Sequence, residues 1–479
     1  MIVTSLVGHL LELNESIDRS SDPADQIASS FFRQKHYLGA RDRRFISEKL
    51  FGMIRHRRFI EALLEEHVRR HPEDSRLDSP RARYLPLFVA YAVCVDGQPA
   101  PESGNPPGSA VDPGSLAGID SLWMTYFPRS DLSSYIHSLS GLQRLEFIQP
   151  DDRNIDETPQ VPPNGGGEAG LLRLAVQYSF QDWMVQEWNA QLGPETERLL
   201  QCLNTPGRVT LRVNLAKTTR EECRLRLLSE GIETRPTLLS PAGLTAVKRF
   251  NAQASETFKA GWFELQDEGS QLLSLICEPR PGSVVIDGCA GAGGKSLHLA
   301  DLLRGDGEVI AVDIDRSRLR ELETRAQRAG VRIIKPVLRE IVQPGRLSGD
   351  LVLVDAPCSG VGTIRRNPAI KWRVSEDSVR RHAVAQRRLL DFYCGFVRPG
   401  GTIVYATCSL MREENDEVVR SFLETHPEFR LKQMEAGVCP SSMITSEGYL
   451  RVLPYHADTD GFFAARMQHA DFASRGAIS

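Results

Sequence analysis

From about residue 265 onward, the chain alternates short runs of branched apolar residues with amphipathic stretches of helical length. The first two apolar runs are Val284–Asp287 and Val309–Asp313, and a later one is Leu351–Val354. Such runs are typical of strands buried on both faces, and their alternation with helices predicts a doubly wound, Rossmann-like, mostly parallel α/β sheet. Ligands of these sheets bind at the carboxyl ends of the strands.

The same pattern predicts the other elements of this domain, which we assign to residues 265–469. Ser375 is a good cap for a long helix that has Glu376 and Asp377 in its first turn, and Pro399–Gly401 is expected to end that helix. The predicted helices cover 296–303, 317–329 and 376–397, and the further strands cover 333–337 and 402–406.

Two smaller domains are predicted before it. Residues 1–165 form a domain that is helical from about 23 to 95 and contains the proline-, glycine- and serine-rich segment Gly97–Gly118. A second such segment, Gln149–Gly170, overlaps its end, and a small α+β domain follows over 171–264. The elements predicted in that small domain are a helix over 183–192, a strand over 209–213 and a helix over 219–230 closed by Gly231.

Two clusters of basic residues lie in these smaller domains. A basic helical face can follow the phosphates of a nucleic acid, but it can equally be a solvated surface, and the sequence leaves both open. In the helical domain the cluster comprises Arg33, Lys35, Arg41, Arg43, Arg44, Lys49, Arg55, Arg57 and Arg58; in the small domain Arg208, Arg212, Lys217 and Arg220 form a positive lip.

Composition changes this picture little. The formal net charge is -4, so RNA binding would have to come from local patches. The nine cysteines follow no regular spacing and include no C-x-x-C pair, which favours reduced thiols over disulfides and argues against a cysteine-based zinc site. Without a signal sequence or a long apolar run, we expect a cytoplasmic protein with no membrane partner and no metal.

A glycine-rich loop, Asp287–Ser296, follows the first strand of the sheet. It matches neither G-x-G-x-x-G nor the phosphate-binding loop, since Cys289 stands where the latter requires its first glycine. Small residues let the backbone approach a ligand, and its position after the first strand favours a nucleoside cofactor. Asp313, at the end of the next strand, is expected to bind the ribose hydroxyls; the alternative is that Asp313 or Asp315 caps the following helix.

Two cysteines, Cys358 and Cys408, each follow a strand, in a loop at the ligand-binding edge. Two thiols at one edge suggest a nucleophile with a base, and nearby cations would favour the thiolate. The candidate cations are Lys295, Arg365, Arg366 and Lys371; Cys94, Cys202, Cys223, Cys277 and Cys394 lie in apolar helical patterns and are expected to be small buried hydrophobes.

These motifs resemble the RNA 5-methylcytosine methyltransferases. The glycine-rich loop is similar to that family's DACAAPGGKT, and Asp355–Gly360 and Thr407–Ser409 match its two cysteine motifs. The other matching segments are Leu211–Asn214, Gln266–Gln271, Arg366–Trp372 and Thr459–Phe463. The resemblance covers roughly 171–468, and Leu38–Arg57 is more loosely similar to the helical NusB-like domain of the bacterial branch that modifies small-subunit ribosomal RNA.

The resemblance implies a class I methyltransferase domain, the cofactor S-adenosylmethionine and an RNA partner, most simply 16S ribosomal RNA. It implies that Cys408 attacks C6 of a cytosine, that Cys358 helps to release the enzyme, and that Asp355 and Lys295 bind or stabilise the ring. The implied cofactor-binding residues are Cys289, Ala290, Gly291, Ala292, Gly293, Gly294, Lys295, Asp313 and Asp355. The target base must be unpaired or turned out of its stack.

The chain departs from the family pattern at two places. Gly288, Gly291 and Ala292 replace two alanines and a proline of the glycine-rich loop, and no acid directly follows the third strand, where Glu340 is the nearest. These departures motivate a second hypothesis, a catalytically weak RNA-binding protein of ribosome assembly. A transfer-RNA cytosine methyltransferase is a further alternative, whereas a DNA cytosine methyltransferase is disfavoured because Cys408 matches the RNA family.

Overall fold

The computed structural model describes residues 3–20, 22–70, 80–95, 123, 135, 167–434 and 437–470. Two compact units are present. The first comprises residues 1–204 together with 367–373, and the second comprises 205–366 together with 374–479. Most of Gly97–Gly118 and Gln149–Gly170 therefore lies outside the described residues.

The first unit is helical throughout its described residues. Its core contains fully buried apolar side chains such as Leu10, Ile46 and Leu85, and Trp123 packs on Tyr135 with ring centroids 4.6 Å apart. This agrees with the helical pattern predicted over 23–95, while the NusB-like character stays a prediction. The helices are α1 (Val3–Arg19), α2 (Ala24–Gln34), α3 (Ala40–Arg55), α4 (Arg57–Arg70), α5 (Pro80–Cys94), α6 (Glu168–Gln177), α7 (Asp182–Leu192), α8 (Thr196–Leu203) and, between the two cysteine motifs in sequence, the short helix Ile370–Arg373.

The second unit begins with a small antiparallel sheet. Four strands lie in the order β2-β3-β1-β4, and helix α9 (Arg220–Ser229) packs against them. Thr219, predicted as the first residue of the helix, instead caps it by accepting a hydrogen bond from Glu222 N. The strands are β1 (Thr210–Val213), β2 (Thr234–Pro236), β3 (Gly243–Ala246) and β4 (Phe263–Leu265), with the short helix α10 (Glu256–Lys259) before β4.

The large sheet has the order β10-β12-β9-β8-β5-β6-β7, with β11 paired to β12. Strands β9, β8, β5, β6 and β7 are parallel, and β12 and β10 are antiparallel, so the predicted mostly parallel Rossmann-like sheet is confirmed. The strands are β5 (Val284–Asp287), β6 (Glu308–Asp313), β7 (Ile334–Leu338), β8 (Gly349–Asp355), β9 (Val397–Thr407), β10 (Phe429–Leu431), β11 (Leu450–Val452) and β12 (Phe462–His469).

Five longer helices accompany this sheet: α11 (Glu268–Leu275), α12 (Gly294–Leu302), α13 (Arg316–Ala329), α15 (Glu376–Cys394) and α16 (Asp416–Thr425), where α14 denotes Ile370–Arg373 of the first unit. From β5 the chain proceeds to β6 and β7 on one side and later to β8 and β9 on the other. The topological switch point therefore lies between β5 and β8, and a crevice is expected at their carboxyl ends.

The long helix was predicted correctly at its start and wrongly at its end. Ser375 Oγ accepts from Ser378 N and Ser378 Oγ accepts from Ser375 N, which closes a capping box. The helix ends at Cys394 rather than at 397, because Phe396 is buried in the core and Val397 already pairs with Gly349 in β9. Pro399–Gly401 consequently forms an irregular part of that strand, with Gly400 at φ +77°, and does not end the helix.

No helix in the described part of the chain is long and apolar enough to cross a membrane.

Candidate active site

The two cysteine turns (Pro357–Gly360 and Thr407–Leu410) leave the carboxyl ends of the neighbouring strands β8 and β9. Because Asp355 pairs with Ala406 in register, the turns that follow are brought side by side. Cys358 Sγ lies 3.3 Å from Cys408 Sγ, close enough for a thiol hydrogen bond. The structure therefore brings both predicted thiols into one site.

A glycine allows the close approach around Cys408. Gly362 N donates to Cys408 O at 2.9 Å, and Gly461 N donates to Gly362 O at 2.8 Å. A Cβ at position 362 would lie 2.2 Å from Gly461 O and 2.7 Å from Cys408 O. Only glycine fits this packing of three loops.

The two thiols are chemically distinct. The hydrogen bond with Cys408 and burial together raise the pKa of Cys358 well above its ordinary value, and the nearby Glu414 acts in the same direction. Cys358 is therefore a protonated thiol at neutral pH, whose conjugate base would be a strong one.

Lys295 and Asp355 form a second pair next to the thiols. Lys295 Nζ donates to Asp355 at 2.5 Å, and both side chains are largely buried. Burial alone would lower the pKa of Lys295, but the charge and hydrogen bond of Asp355 raise it, with a further contribution from Cys408. A fixed ammonium group thus lies within electrostatic reach of Cys408.

The other three predicted cations do not serve the thiols. Arg365 donates to Thr459 O and pairs with Asp458, and Arg366 pairs with Asp267 and Asp460. Both guanidinium groups are therefore paired with nearby carboxylates. The expectation that they favour a thiolate is therefore wrong.

Lys371 belongs to the first unit, and its ammonium group is hydrogen-bonded to residues of that unit. Its Nζ donates to Arg55 O, Tyr178 O, Ser179 O and Asn204 Oδ1, and it lies 3.6 Å from the centroid of the Phe180 ring. Burial lowers its pKa well below the ordinary lysine value. Lys371 closes the packing of its own unit, and its predicted action on a thiol is not supported.

The glycine-rich loop is fixed mainly through its backbone. Gly291 adopts φ +53° and its N–H donates to Asp313 at 2.8 Å, while Arg325 Nη1 donates to Ala292 O at 2.7 Å. Gly293 adopts φ +83°, and a Cβ there would lie 2.5 Å from Leu322. Cys289 and Ala290 lie between β5 and α12, and Gly294 and Lys295 are the first two residues of α12.

Close packing against Tyr393 explains the glycine at position 288. A Cβ there would lie 2.8 Å from the ring of Tyr393, whose hydroxyl donates to Gly288 O at 2.5 Å. The departure from the family's alanine therefore accompanies a tyrosine packed against the loop. At all three positions that depart from the family motif, the loop backbone is hydrogen-bonded by a side chain: Tyr393 at Gly288, Asp313 at Gly291 and Arg325 at Ala292.

The two aspartates after β6 have different positions. Asp315 accepts from Ser317 N and caps α13, whereas Asp313 accepts from Gly291 N and Asp315 N. The helix cap is thus Asp315, and Asp313 lies against the glycine-rich loop. Each carboxylate oxygen has a second lone pair, so Asp313 retains acceptor capacity for ribose hydroxyls. Glu340, the nearest acid after β7, is exposed in a short 3-10 turn.

Sequence reasoning missed Glu414, which is fully buried between the two cysteine turns. Ser359 N and Ser359 Oγ donate to its carboxylate at 2.8 and 2.5 Å, and Ser409 Oγ donates to it as well. The available signal was that a serine follows each of the two cysteines. Two serines in equivalent turns of paired strands indicate a shared acceptor.

Several residues of the predicted basic clusters are engaged in ion pairs. Arg212 is buried, donates to Gln266 and pairs with Asp301, so it is not part of an exposed lip. In the first unit, ion pairs join Lys35 to Glu12, Arg44 to Glu48, Arg57 to Asp18 and Glu61, and Arg58 to Asp182. These pairs support the structural interpretation for the residues named. Among the residues that the structure describes, no three His, Cys, Asp or Glu side chains form a metal-binding group.

Known proteins are similar to this chain in sequence and in architecture. The model of the family described as 16S rRNA methyltransferase RsmB/F matches residues 274–468, and the ferredoxin-like domain of RsmF/B-like methyltransferases matches residues 180–253. A probable ribosomal RNA small subunit methyltransferase B of Synechocystis sp. is 30% identical over 449 residues, covering 91% of this chain and 93% of that protein. The chain belongs to this methyltransferase family.

Other relatives agree with the assignment. A probable ribosomal RNA small subunit methyltransferase B of Bacillus subtilis is 34% identical, covering 64% of this chain and 70% of its own. The crystal structure of PH0851 superposes with a TM-score of 0.70 at 25% identity, covering 98% of this chain and 99% of that one. The predicted resemblance is thereby confirmed, and the large sheet is the methyltransferase domain of the family.

Proposed function

We propose that this protein is an S-adenosylmethionine-dependent methyltransferase that modifies carbon 5 of a cytosine in RNA, most specifically in small-subunit ribosomal RNA. Membership of the 16S rRNA methyltransferase family supports the class of reaction and substrate. The observation that carries the cytosine chemistry is the 3.3 Å contact of two thiols at the carboxyl ends of β8 and β9.

Carbon 5 of cytosine is a poor nucleophile, and a thiolate changes that. Addition of the Cys408 sulfur to C6 forms an S–C bond and moves an electron pair onto C5, which then accepts a methyl group. S-Adenosylmethionine, when bound, supplies that methyl group. Cys358, once its own proton has passed to solvent, takes the proton from C5 as a thiolate, and the freed electron pair restores the C5–C6 double bond and expels Cys408. The raised pKa of Cys358 supports its role as the base.

Lys295 and Asp355 supply the charges that this addition requires. Negative charge spreads over the ring once sulfur has added, and a fixed ammonium group stabilises it without reorganisation. Asp355, which holds Lys295 at 2.5 Å, is placed at the end of β8 to accept a hydrogen bond from the amino edge of the base. Both side chains are largely buried, and electrostatic effects are larger there than in water.

The residues present fit the cofactor. Gly291 and Gly294 have little or nothing near a built Cβ, so the backbone of the glycine-rich loop is open to a ligand. Asp313, beside Gly291, is proposed to bind the ribose, and Cys289–Lys295 with Asp355 to line the remaining surface. The NusB-like and ferredoxin-like domains are proposed to bind RNA around a base that has left its stack.

The test is a denaturing-gel assay for a covalent protein–RNA adduct. The full chain is incubated with S-adenosylmethionine and a small-subunit ribosomal RNA transcript, as wild type and as Cys358→Ala, Cys408→Ala and the double variant. We expect the adduct to accumulate in Cys358→Ala, because release is blocked, and to vanish when Cys408 is also replaced.

Cys439→Ala is the matched control, since Cys439 is a half-buried thiol outside both cysteine turns. It should behave as wild type. If no variant forms an adduct while the chain still binds S-adenosylmethionine and RNA, the two-thiol mechanism is wrong. If calorimetry shows no cofactor binding, the RNA-binding assembly protein becomes the better hypothesis.

A further inference from the structure

The two cysteine turns have the same sequence, Cys-Ser, and their serines share one acceptor. Glu414 lies in a 3-10 turn after β9 and is fully buried. Its Oε2 accepts from Ser359 Oγ and from Ser409 Oγ, and the two hydroxyl oxygens are 3.2 Å apart. One carboxylate therefore bridges the residues that directly follow the two thiols.

The carboxylate also holds the backbone of the first turn. Ser359 N donates to Glu414 Oε1 at 2.8 Å, and Gln386 Nε2 donates to the same oxygen at 3.1 Å and to Pro357 O at 2.9 Å. Pro357 and Ser359 flank Cys358 on both sides. Glu414 and Gln386 thus fix the backbone before and after this thiol.

The position of Glu414 is in turn fixed to the sheet. Tyr405 of β9 donates from its hydroxyl to Glu414 O at 2.5 Å. The next residue, Asn415, accepts from Thr407 Oγ1 at 2.6 Å and donates to Ser409 O at 3.0 Å, so the second turn is bound from both sides of Cys408. The thiol contact is consequently set by a network that contains neither sulfur.

We propose that Glu414 is a positioning residue that holds the two cysteine turns together and thereby sets the distance between Cys358 Sγ and Cys408 Sγ. This inference deepens the proposed function and rests on it for the roles of the thiols. A buried carboxylate with four donors is costly to place in a protein interior, and each donor belongs to, or itself binds, the turns that carry the thiols. Nucleophile and base need a fixed separation, because a displacement of about 1 Å costs roughly 100-fold in rate.

The test measures thiol proximity without RNA or cofactor. Diamide, an azo compound, accepts two electrons and two protons and so converts a pair of thiols into a disulfide. The rate of Cys358–Cys408 bond formation in the full-length protein is followed by mass spectrometry of the peptides that carry the two cysteines. We expect Glu414→Gln and Ser359→Ala/Ser409→Ala to slow it by about tenfold, since the effective concentration of the thiols falls.

Two further variants keep the test informative. Ser359→Ala alone removes a single hydroxyl, retains the carboxylate and should slow disulfide formation less than the double variant does. Ser255→Ala is the matched control, because Ser255 Oγ donates to Glu230 at 2.6 Å in a hydroxyl–carboxylate bond outside the cysteine turns. It should leave the rate unchanged.

Two readouts distinguish the positioning role of Glu414 from a general role in folding and from a failure of the proposed function. With RNA and S-adenosylmethionine, Ser359→Ala/Ser409→Ala should lower kcat and leave the KM for S-adenosylmethionine unchanged. If Glu414→Gln and the double serine variant form the disulfide at the wild-type rate, Glu414 does not set the distance. Because that measurement needs no methyl transfer, it is valid even if the chain modifies a different base or none.

Discussion

The glycine-rich loop and the two cysteine turns leave the same edge of the same sheet, but different kinds of contact hold them in place. The cysteine turns are joined by side chains that meet at Glu414, and the residues that bear the chemistry match the family motif. The glycine-rich loop is held through backbone atoms, by Asp313, Arg325 and Tyr393, and it departs from the motif. In this chain the family motif is kept in the cysteine turns, where side chains make the contacts, and it is altered in the glycine-rich loop, where backbone atoms make most of them.

The buried acids of the two regions differ in the number of hydrogen bonds that they accept. Glu414 accepts from two serines and a glutamine. Asp287, at the start of the glycine-rich loop, accepts from Ser296 Oγ at 2.6 Å through one oxygen, whereas its buried Oδ1 lacks a well-formed hydrogen bond. Burial raises the pKa of Asp287 to about 6 despite the Ser296 hydrogen bond.

The largest expected effect separates the two regions by function. Cys408→Ala should lower methyl transfer to a small-subunit ribosomal RNA transcript by about 10⁴-fold or more, because it removes the proposed nucleophile. Its dissociation constant for S-adenosylmethionine, measured by calorimetry, should stay that of wild type, because the cofactor is proposed to bind at the other loop. A comparable loss of cofactor affinity would show that the two regions do not act separately.

The next effect concerns stability and pH. Because the pKa of Asp287 is raised from 3.8 to about 6 on folding, the folded state binds its proton more tightly. The resulting stabilisation is complete below about pH 4 and is lost as the pH rises through 6, a change of about 3 kcal/mol. Asp287→Asn keeps an acceptor for Ser296 and should remove this dependence.

The measurement is the free energy of unfolding in urea at pH 4, 5, 6 and 7 for both proteins, with the difference between them taken at each pH. Between pH 4 and 7 the wild type should lose about 3 kcal/mol relative to Asp287→Asn. A difference that does not change with pH would mean that folding does not raise the pKa of Asp287.

The side chain of Lys295 connects the two regions, since it belongs to the glycine-rich loop and pairs with Asp355 before the first cysteine turn. Lys295→Met should lower the single-turnover rate at saturating cofactor by about 100-fold, because the charge on the ring loses its stabilisation. Lys295→Arg keeps the charge and should recover part of the rate. Equal losses in both variants would indicate that shape rather than charge matters at this position.

Sequence reasoning placed Cys358 and Cys408 together because both follow apolar strands in loops, and parallel strands bring their ends to one edge. It also placed β5, β6, β7 and β8 of the large sheet within one or two residues, began β9 five residues late, and did not predict β10, β11 and β12. It could not find Glu414, Tyr393 or Arg325, because their contacts depend on how helices and turns pack over the edge. It wrongly gave Arg365, Arg366 and Lys371 to the thiols, since their carboxylate and carbonyl partners are distant in sequence.

The smallest predicted effect tests whether backbone contacts replace the missing proline of the glycine-rich loop. Arg325 donates to Ala292 O at 2.7 Å and pairs with Glu264 at 3.1 Å. Arg325→Met should raise the dissociation constant for S-adenosylmethionine by about tenfold, the equivalent of one charge-assisted hydrogen bond to the loop. Isothermal calorimetry with the full chain measures it.

Arg328→Met is the control that gives this result its meaning. Arg328 also pairs with Glu264, but it stacks on Phe258 at 3.9 Å and makes no hydrogen bond to the glycine-rich loop. Both variants therefore lose one ion pair of the same buried carboxylate, and only Arg325→Met loses the contact with Ala292. Equal cofactor affinities in the two variants would mean that Arg325 supports the fold through Glu264 alone, and that the loop keeps its shape through Gly291 and Asp313.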